Sequence, residues 1–217
     1  MQVEKSSVTS PEKPHDSSKE RLIMLSDGVF AIAITLLVID IHLPEKLSAG
    51  AVQDAFIKLF PQFLGYVISF VIIATYWVIH RRLMDRVKIA DRNITFLNLT
   101  LLFFIALLPV STKFIGPYYG IPIITAFYAL NLAACGFVSV ATSLYLKQRR
   151  EIAVDDLNIA DVDRGLRSAL LASVVFVLSL LLMLLPNGAR WVLPSWCILF
   201  FTDPIARLVQ RLQSRKA

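Results

Sequence analysis

The feature that most limits what this chain can become is a series of apolar runs, each about as long as a bilayer is thick. A helix rises about 1.5 Å per residue, so roughly 20 apolar residues cover the hydrocarbon core, and only helices or closed barrels satisfy every backbone polar group there. The stretch from Leu22 to Leu43 is such a run, with Asp27 and Asp40 as its only carboxylates. At the helical rise it covers about 33 Å. Composition agrees, with 56% hydrophobic and 18% charged residues and a mean hydropathy of +0.65. A soluble fold could not hide that much apolar surface. The sequence therefore predicts an all-α, polytopic integral membrane protein.

Five further runs bring the expected number of transmembrane helices to six. A segment of mixed polarity from Ala51 reads as a short interfacial helix, followed by a spanning helix from about Pro61 to His80. The third run covers about Ile94 to Phe114 with Pro109 near its far end, and the fourth about Ile121 to Leu146. The fifth runs from about Leu166 to Leu185 and stops at Pro186-Asn187-Gly188, and the sixth covers about Trp191 to Leu208. Residues 1–20 are polar, lack the apolar region of a secretory signal, and read as a disordered cytoplasmic tail. Residues 21–208 form the six-helix unit, and 209–217 a basic cytoplasmic tail.

Loop charges predict the orientation. The tail to Arg21 carries 4 Lys and Arg, the loop from Arg81 to Arg92 carries 5, the loop from Lys147 to Arg167 carries 5, and the chain from Arg207 onward carries 4. The opposite side has only Lys46, Lys113 and Arg190, with Lys58 on the interfacial stretch. The positive-inside rule then puts both termini and both basic loops in the cytoplasm.

Several function classes are disfavoured. The net charge of +6 is spread between apolar runs, without the aromatic-interleaved patch of a nucleic-acid binder. Cys135 and Cys197 lie inside apolar segments without CxxC spacing and read as inert core thiols. No HExxH or GxSxG motif suggests an enzyme, and His15, His42 and His80 lack metal-ligand spacing. Neither regularly spaced arginines nor matching broken helices in two halves are present.

The first helix carries the sharper signal. With Ile32 as angular origin, Leu25, Gly28, Thr35, Leu36 and Ile39 all fall within about 60°, whereas Asp27 points roughly 140° away. One hydroxyl thus shares a face with apolar side chains, and the carboxylate belongs to another. Asp27 lies about 8 Å into the helix from its cytoplasmic end. At a similar depth stand Asn98 of the third helix and Trp77 and His80 of the second. These four are expected to meet, because an intramembrane carboxylate seeks donors such as the imidazole, the amide or Arg21. Such a cluster reads equally as a pH-sensitive packing lock through His80 or as a satisfied polar anchor.

Arg21, Ser26, Asp27 and Gly28, with Leu25 where an aromatic residue is usual, resemble the R-x-x-x-F-S-D-G signature of the transmembrane protein 175 family of potassium channels. Trp77-x-x-His80 and the stretch from Asn98 to Pro109-x-x-Thr112 extend the resemblance, which is specific over the first three helices. It implies a six-helix, single-repeat, bacterial-type subunit that assembles as a homotetramer in the plasma membrane around a pore lined by the first helix. Potassium and other monovalent cations, the lipid bilayer and identical subunits would be the partners, with no cofactor beyond the permeant ion. Ile32 then falls at the constriction and Thr35 at a hydroxyl ion contact. Ile39 falls at a further apolar ring, with Leu36 beside it on the same stripe. Modest selectivity for potassium over sodium is expected, because one hydroxyl layer offers fewer oxygens than stacked carbonyls, and the TVGYG filter is absent.

Asp40 and His42 read as solvated residues at the outer end of the first helix, and Asp203 as a partner of Arg207. The rival reading is a proton-coupled secondary transporter that titrates Asp27, His80 and Asp203. A carrier saturates and follows the proton gradient, whereas a channel conducts in steps.

Overall fold

The computed structural model describes residues 17–39, 41 and 49–196. Its helices are α1 (Ser17–Ile39), α2 (Ala49–Met84), α3 (Arg92–Ile115), α4 (Pro122–Gln148), α5 (Ile159–Ser179) and α6 (Ala189–Ser195). Two 3-10 turns, Arg150–Ile152 and Leu180–Leu184, flank α5. Among the described residues there is no β-strand. Helices α1 to α4, and α5 with its 3-10 extension, are each long and apolar enough to cross a membrane. The expected sixth span is described only over its first turns, and its remainder lies outside the described residues, as do Asp40, His42, Cys197, Asp203 and Arg207.

Local chemistry sets the helix ends. Asp91 caps α3, its Oδ1 accepting the Ile94 N–H at 2.8 Å, and Asn158 caps α5 through the Ala160 N–H at 3.0 Å. Both satisfy donors that have no partner within the helix. Pro122 occupies the first turn of α4, where its missing N–H costs nothing.

Three boundaries differ from the sequence expectation. α1 begins at Ser17 and so takes in four residues assigned to the tail. The mixed segment from Ala51 is not a separate interfacial helix but the first turns of α2, which continues for 36 residues. The helix carries Pro61 inside it, at the cost of one backbone hydrogen bond, so neither polarity nor the proline ends it. α5 starts at Ile159, seven residues before Leu166, because the Asn158 cap starts the helix in the polar loop.

α4 is the most enclosed helix, packed against α3 on one side and α5 on the other. Its small residues permit close approach: a Cβ on Gly136 would lie 2.0 Å from Ser173 Oγ. In lipid, where apolar burial drives little, such contacts carry helix association. The main core joins Phe30 and Leu37 of α1, Ile73 of α2, Ile105 of α3, Leu132 of α4 and Phe176 of α5. Cys135 is buried there as a free thiol.

A second core closes the end of the bundle that carries both basic loops. Leu22, Leu83, Val87, Ile94, Leu146 and Ile152 pack together beneath them. An antiparallel bridge between Val87 and Ala153 ties one loop to the other, with Lys88 N donating to Ile152 O at 2.7 Å and Val154 N to Arg86 O at 3.0 Å. Lys88 Nζ also meets Asp155 Oδ1 at 2.7 Å. At the opposite end the Tyr119 hydroxyl donates to the Arg190 carbonyl. Partial burial pushes that phenol's pKa up, and the Arg190 charge counters it.

Candidate functional site

α1 has two faces with different surroundings. Leu22, Ser26, Phe30, Ala33 and Leu37 are buried inside the protomer. Leu25, Gly28, Ile32, Thr35, Leu36 and Ile39 are all exposed, Ile32 at 58% and Ile39 at 66%. The protomer therefore spends one face of α1 on its own core and leaves the isoleucine stripe free. Thr35 Oγ donates its hydrogen to the Ile32 carbonyl at 2.9 Å. With the donor spent on backbone, the hydroxyl presents oxygen lone pairs to whatever occupies the stripe.

The opposite face is fixed by a polar anchor. His80 Nε2 donates to Asn98 Oδ1 at 2.7 Å, and Asn98 Nδ2 donates to Ser26 Oγ at 2.9 Å. Ser26 in turn donates to the Leu22 carbonyl at 2.8 Å. Ser26, His80 and Asn98 are 0%, 3% and 2% exposed, so α1, α2 and α3 meet here through a dry hydrogen-bonded chain. Phe30 covers the imidazole, ring centroids 5.5 Å apart.

Asp27 bonds elsewhere. Its Oδ1 accepts from the Trp77 indole at 2.8 Å, which corrects the expectation of an imidazole, amide or Arg21 donor. The cause is rotational: Ser26 faces inward to Asn98, so its neighbour Asp27 turns toward the α1–α2 seam, where Trp77 stands. Arg81 lies over the Trp77 ring at 5.9 Å, placing a cation behind the indole that serves the carboxylate. Asp27, Trp77, His80, Arg81 and Asp85 border a cleft of about 320 Å³ at the basic end. Arg21 is exposed on α1. The four residues expected to meet thus form two neighbouring groups, Asp27 with Trp77 and His80 with Asn98.

A second buried cluster contains Thr112 and two residues the sequence reading missed. Thr112 Oγ1 lies 2.9 Å from Ser69 Oγ, and Ser69 Oγ lies 2.9 Å from the Tyr128 hydroxyl. Tyr76 donates to the Leu132 carbonyl at 2.8 Å. Beside Pro109, the Leu108 carbonyl receives the Ser111 hydroxyl at 2.9 Å. The available signal was the hydroxyl-bearing residues within apolar helices, since an intramembrane polar group needs a partner.

Comparison with known proteins gives this arrangement its family. The sequence profile described as "Endosomal/lysosomal potassium channel TMEM175" matches residues 21–109, which hold the stripe and both anchor groups. A potassium channel of Chamaesiphon minutus is 30% identical over 155 residues, covering 70% of this chain and 75% of that protein. The chain belongs to the TMEM175 family. A potassium channel of Chryseobacterium sp. (strain P1-3) is 36% identical over 115 residues, covering 53% of this chain, and the match spans 58% of that relative's length. The fold matches the crystal structure of a lysosomal potassium-selective channel TMEM175 homolog from Chamaesiphon minutus, with a TM-score of 0.71 and 24% identity over 85% of this chain and 96% of that one. The all-α membrane architecture is that of TMEM175 proteins.

Proposed function

We propose that this chain is one subunit of a potassium-permeable cation channel, with ions passing along the α1 stripe of four identical subunits. The observation that carries the reading is the unpartnered stripe itself. Ile32, Thr35, Leu36 and Ile39 are exposed while the opposite face of the same helix is locked into the protomer. One helix cannot enclose a conduit, whereas symmetry-related copies can. The potassium-channel names of the relatives support the choice of ion.

In this reading a ring of Ile32 side chains narrows and dewets the path, so an ion gives up part of its hydration there. Thr35 hydroxyls, their hydrogens held by Ile32 carbonyls, offer replacement oxygens. Potassium loses water at lower cost than sodium and passes more readily. A single hydroxyl layer keeps the preference modest. The Ser26–Asn98–His80 chain and the Asp27–Trp77 bond hold the rotation of α1, keeping Asp27 off the stripe. Ile39 and Leu36 form a second apolar ring toward the outer end. The basic loops face the cytoplasm of a bacterial plasma membrane.

The deciding experiment is reconstitution in planar bilayers under bi-ionic potassium and sodium. Stepwise currents with a reversal potential displaced toward potassium are expected. Saturating, proton-gradient-driven flux without steps would instead make the protein a carrier.

A further inference from the structure

Away from the α1 stripe, a groove of about 410 Å³ lies between α3 and α4 at their basic ends. Its walls are graded. Phe96 and Leu97 of α3 and Ala141 and Leu144 of α4 line the part nearer the bundle's middle, and Asn93, Tyr145 and Gln148 line the end. Phe96 is 68% exposed, so the apolar part has no cover within the protomer. From Gln148 to Ala141 the helix descends about 10 Å, from the headgroup region into the acyl chains.

The polar end is built. The Tyr145 hydroxyl donates to Asp91 Oδ2 at 2.5 Å and accepts from Asn93 Nδ2 at 2.9 Å. One turn on, the Arg149 N–H donates to the Tyr145 carbonyl at 2.9 Å. That phenol pins the start of α3 to the end of α4, and Arg149 is exposed just past Gln148 of the groove wall. Arg92 and Arg150 are exposed beside it. Two carboxylates stand nearby, and both are engaged. Asp91 caps α3 through its other oxygen, and Glu151 lies 3.0 Å from Arg149 with both side chains well exposed. Such an open pair holds the guanidinium weakly, so an anion can compete for it.

We propose that this α3–α4 groove binds an anionic phospholipid of the cytoplasmic leaflet, its phosphate at Arg92 and Arg149 and an acyl chain along Phe96 and Leu144. The grading of the walls matches a lipid's own order, with a charged head, a polar glycerol region and an apolar tail. A basic rim at this depth selects for negative headgroups. Orientation follows the loop charges, and the site is independent of whether ions flow along α1.

The test places a reporter in the groove of the full-length protein. Phe96→Trp in bilayers is titrated with brominated phosphatidylglycerol or brominated phosphatidylcholine, and the signal of the native tryptophans, taken from the unsubstituted protein, is subtracted. Quenching by phosphatidylglycerol is expected to half-saturate at a mole fraction at least roughly fivefold lower than for phosphatidylcholine. Adding Arg92→Ala and Arg149→Ala should abolish that difference, while Arg82→Ala with Arg167→Ala on the neighbouring basic surface should leave it intact. Equal quenching by the two lipids would reduce the groove to ordinary boundary surface. Absence of quenching by either would mean that another copy of the chain covers it, and equal loss in the Arg82 and Arg167 variant would assign the preference to diffuse charge. Each of these outcomes overturns the proposal.

Discussion

Replacing Asn98 by alanine removes the residue that joins three helices, and the size of the effect can be worked from its contacts. One interhelical hydrogen bond in a bilayer is worth only about 0.6 kcal/mol on average, so the lost bonds to His80 and Ser26 are a minor part. The larger part is what they leave behind. His80 is 3% exposed and its Nε2–H has Asn98 Oδ1 as its acceptor, and an orphaned buried donor costs about 1–3 kcal/mol. Ser26 loses little, because its own hydrogen already goes to the Leu22 carbonyl. The expected loss is about 2–3 kcal/mol, or a fall in Tm of roughly 4–12 °C for a chain this long. Thermal unfolding in detergent, followed by size-exclusion chromatography, measures it. Ser26→Ala should cost less than half as much, and Asn98→Ala with Ser26→Ala less than the sum of the two, since they share a bond. If Asn98→Ala unfolds within about 1 °C of the unsubstituted protein, the reasoning from orphaned donors fails at this site.

Because Ile32 sets the narrowest ring in the proposed conduit, Ile32→Asn should raise potassium flux into proteoliposomes; unchanged flux from a folded variant would move the constriction elsewhere. Thr35→Ala should shift the bi-ionic reversal potential and Thr35→Ser should restore it, whereas identical potentials in all three would remove the hydroxyl's assigned role. A Cβ on Gly28 would meet nothing within the protomer, so Gly28→Leu should leave helicity by circular dichroism intact and lower the assembled mass by light scattering. An undiminished assembly would show that no neighbouring copy approaches there. Val87 is fully buried where the two basic loops join, so Val87→Asp should destabilise by several kcal/mol, about the cost of an unpaired buried charge. Asp155→Asn, at the solvent-exposed ion pair beside it, should change the same denaturation midpoint hardly at all.

What could be read from the residues was whatever lipid makes expensive. Long apolar runs have to become helices because no other open structure satisfies the backbone in hydrocarbon, and Asp27, His80 and Asn98 at matching depth needed partners. The α1 stripe was also legible, since a fixed 100° turn places Leu25, Ile32 and Ile39 on one edge without any knowledge of the neighbours. Less visible was which donor meets which acceptor. Depth fixes position along the helix axis, but the choice of Trp77 over His80 for Asp27 depends on how α2 is rotated against α1. The mixed polarity before Pro61 and the proline itself hid the continuity of α2, because a helix can carry polar side chains outward and tolerate the loss of one backbone hydrogen bond.

By itself, the sequence determined the all-α class, the places of the apolar spans, the basic character of one end and the face of α1 that carries Ile32 and Thr35. Tertiary structure alone decided that this face is left bare while Ser26 and Phe30 turn inward, that α4 is the most enclosed helix, and that a groove lies between α3 and α4 at the basic end. The reason lies in the solvent. In water, burial and exposure write different residues on the two sides of a helix, but in a bilayer both sides can be apolar, so periodicity carries little phase. Rotation about each axis is then set by a few polar bonds and close contacts between helices distant in sequence, such as Asn98 to Ser26 and Gly136 to Ser173.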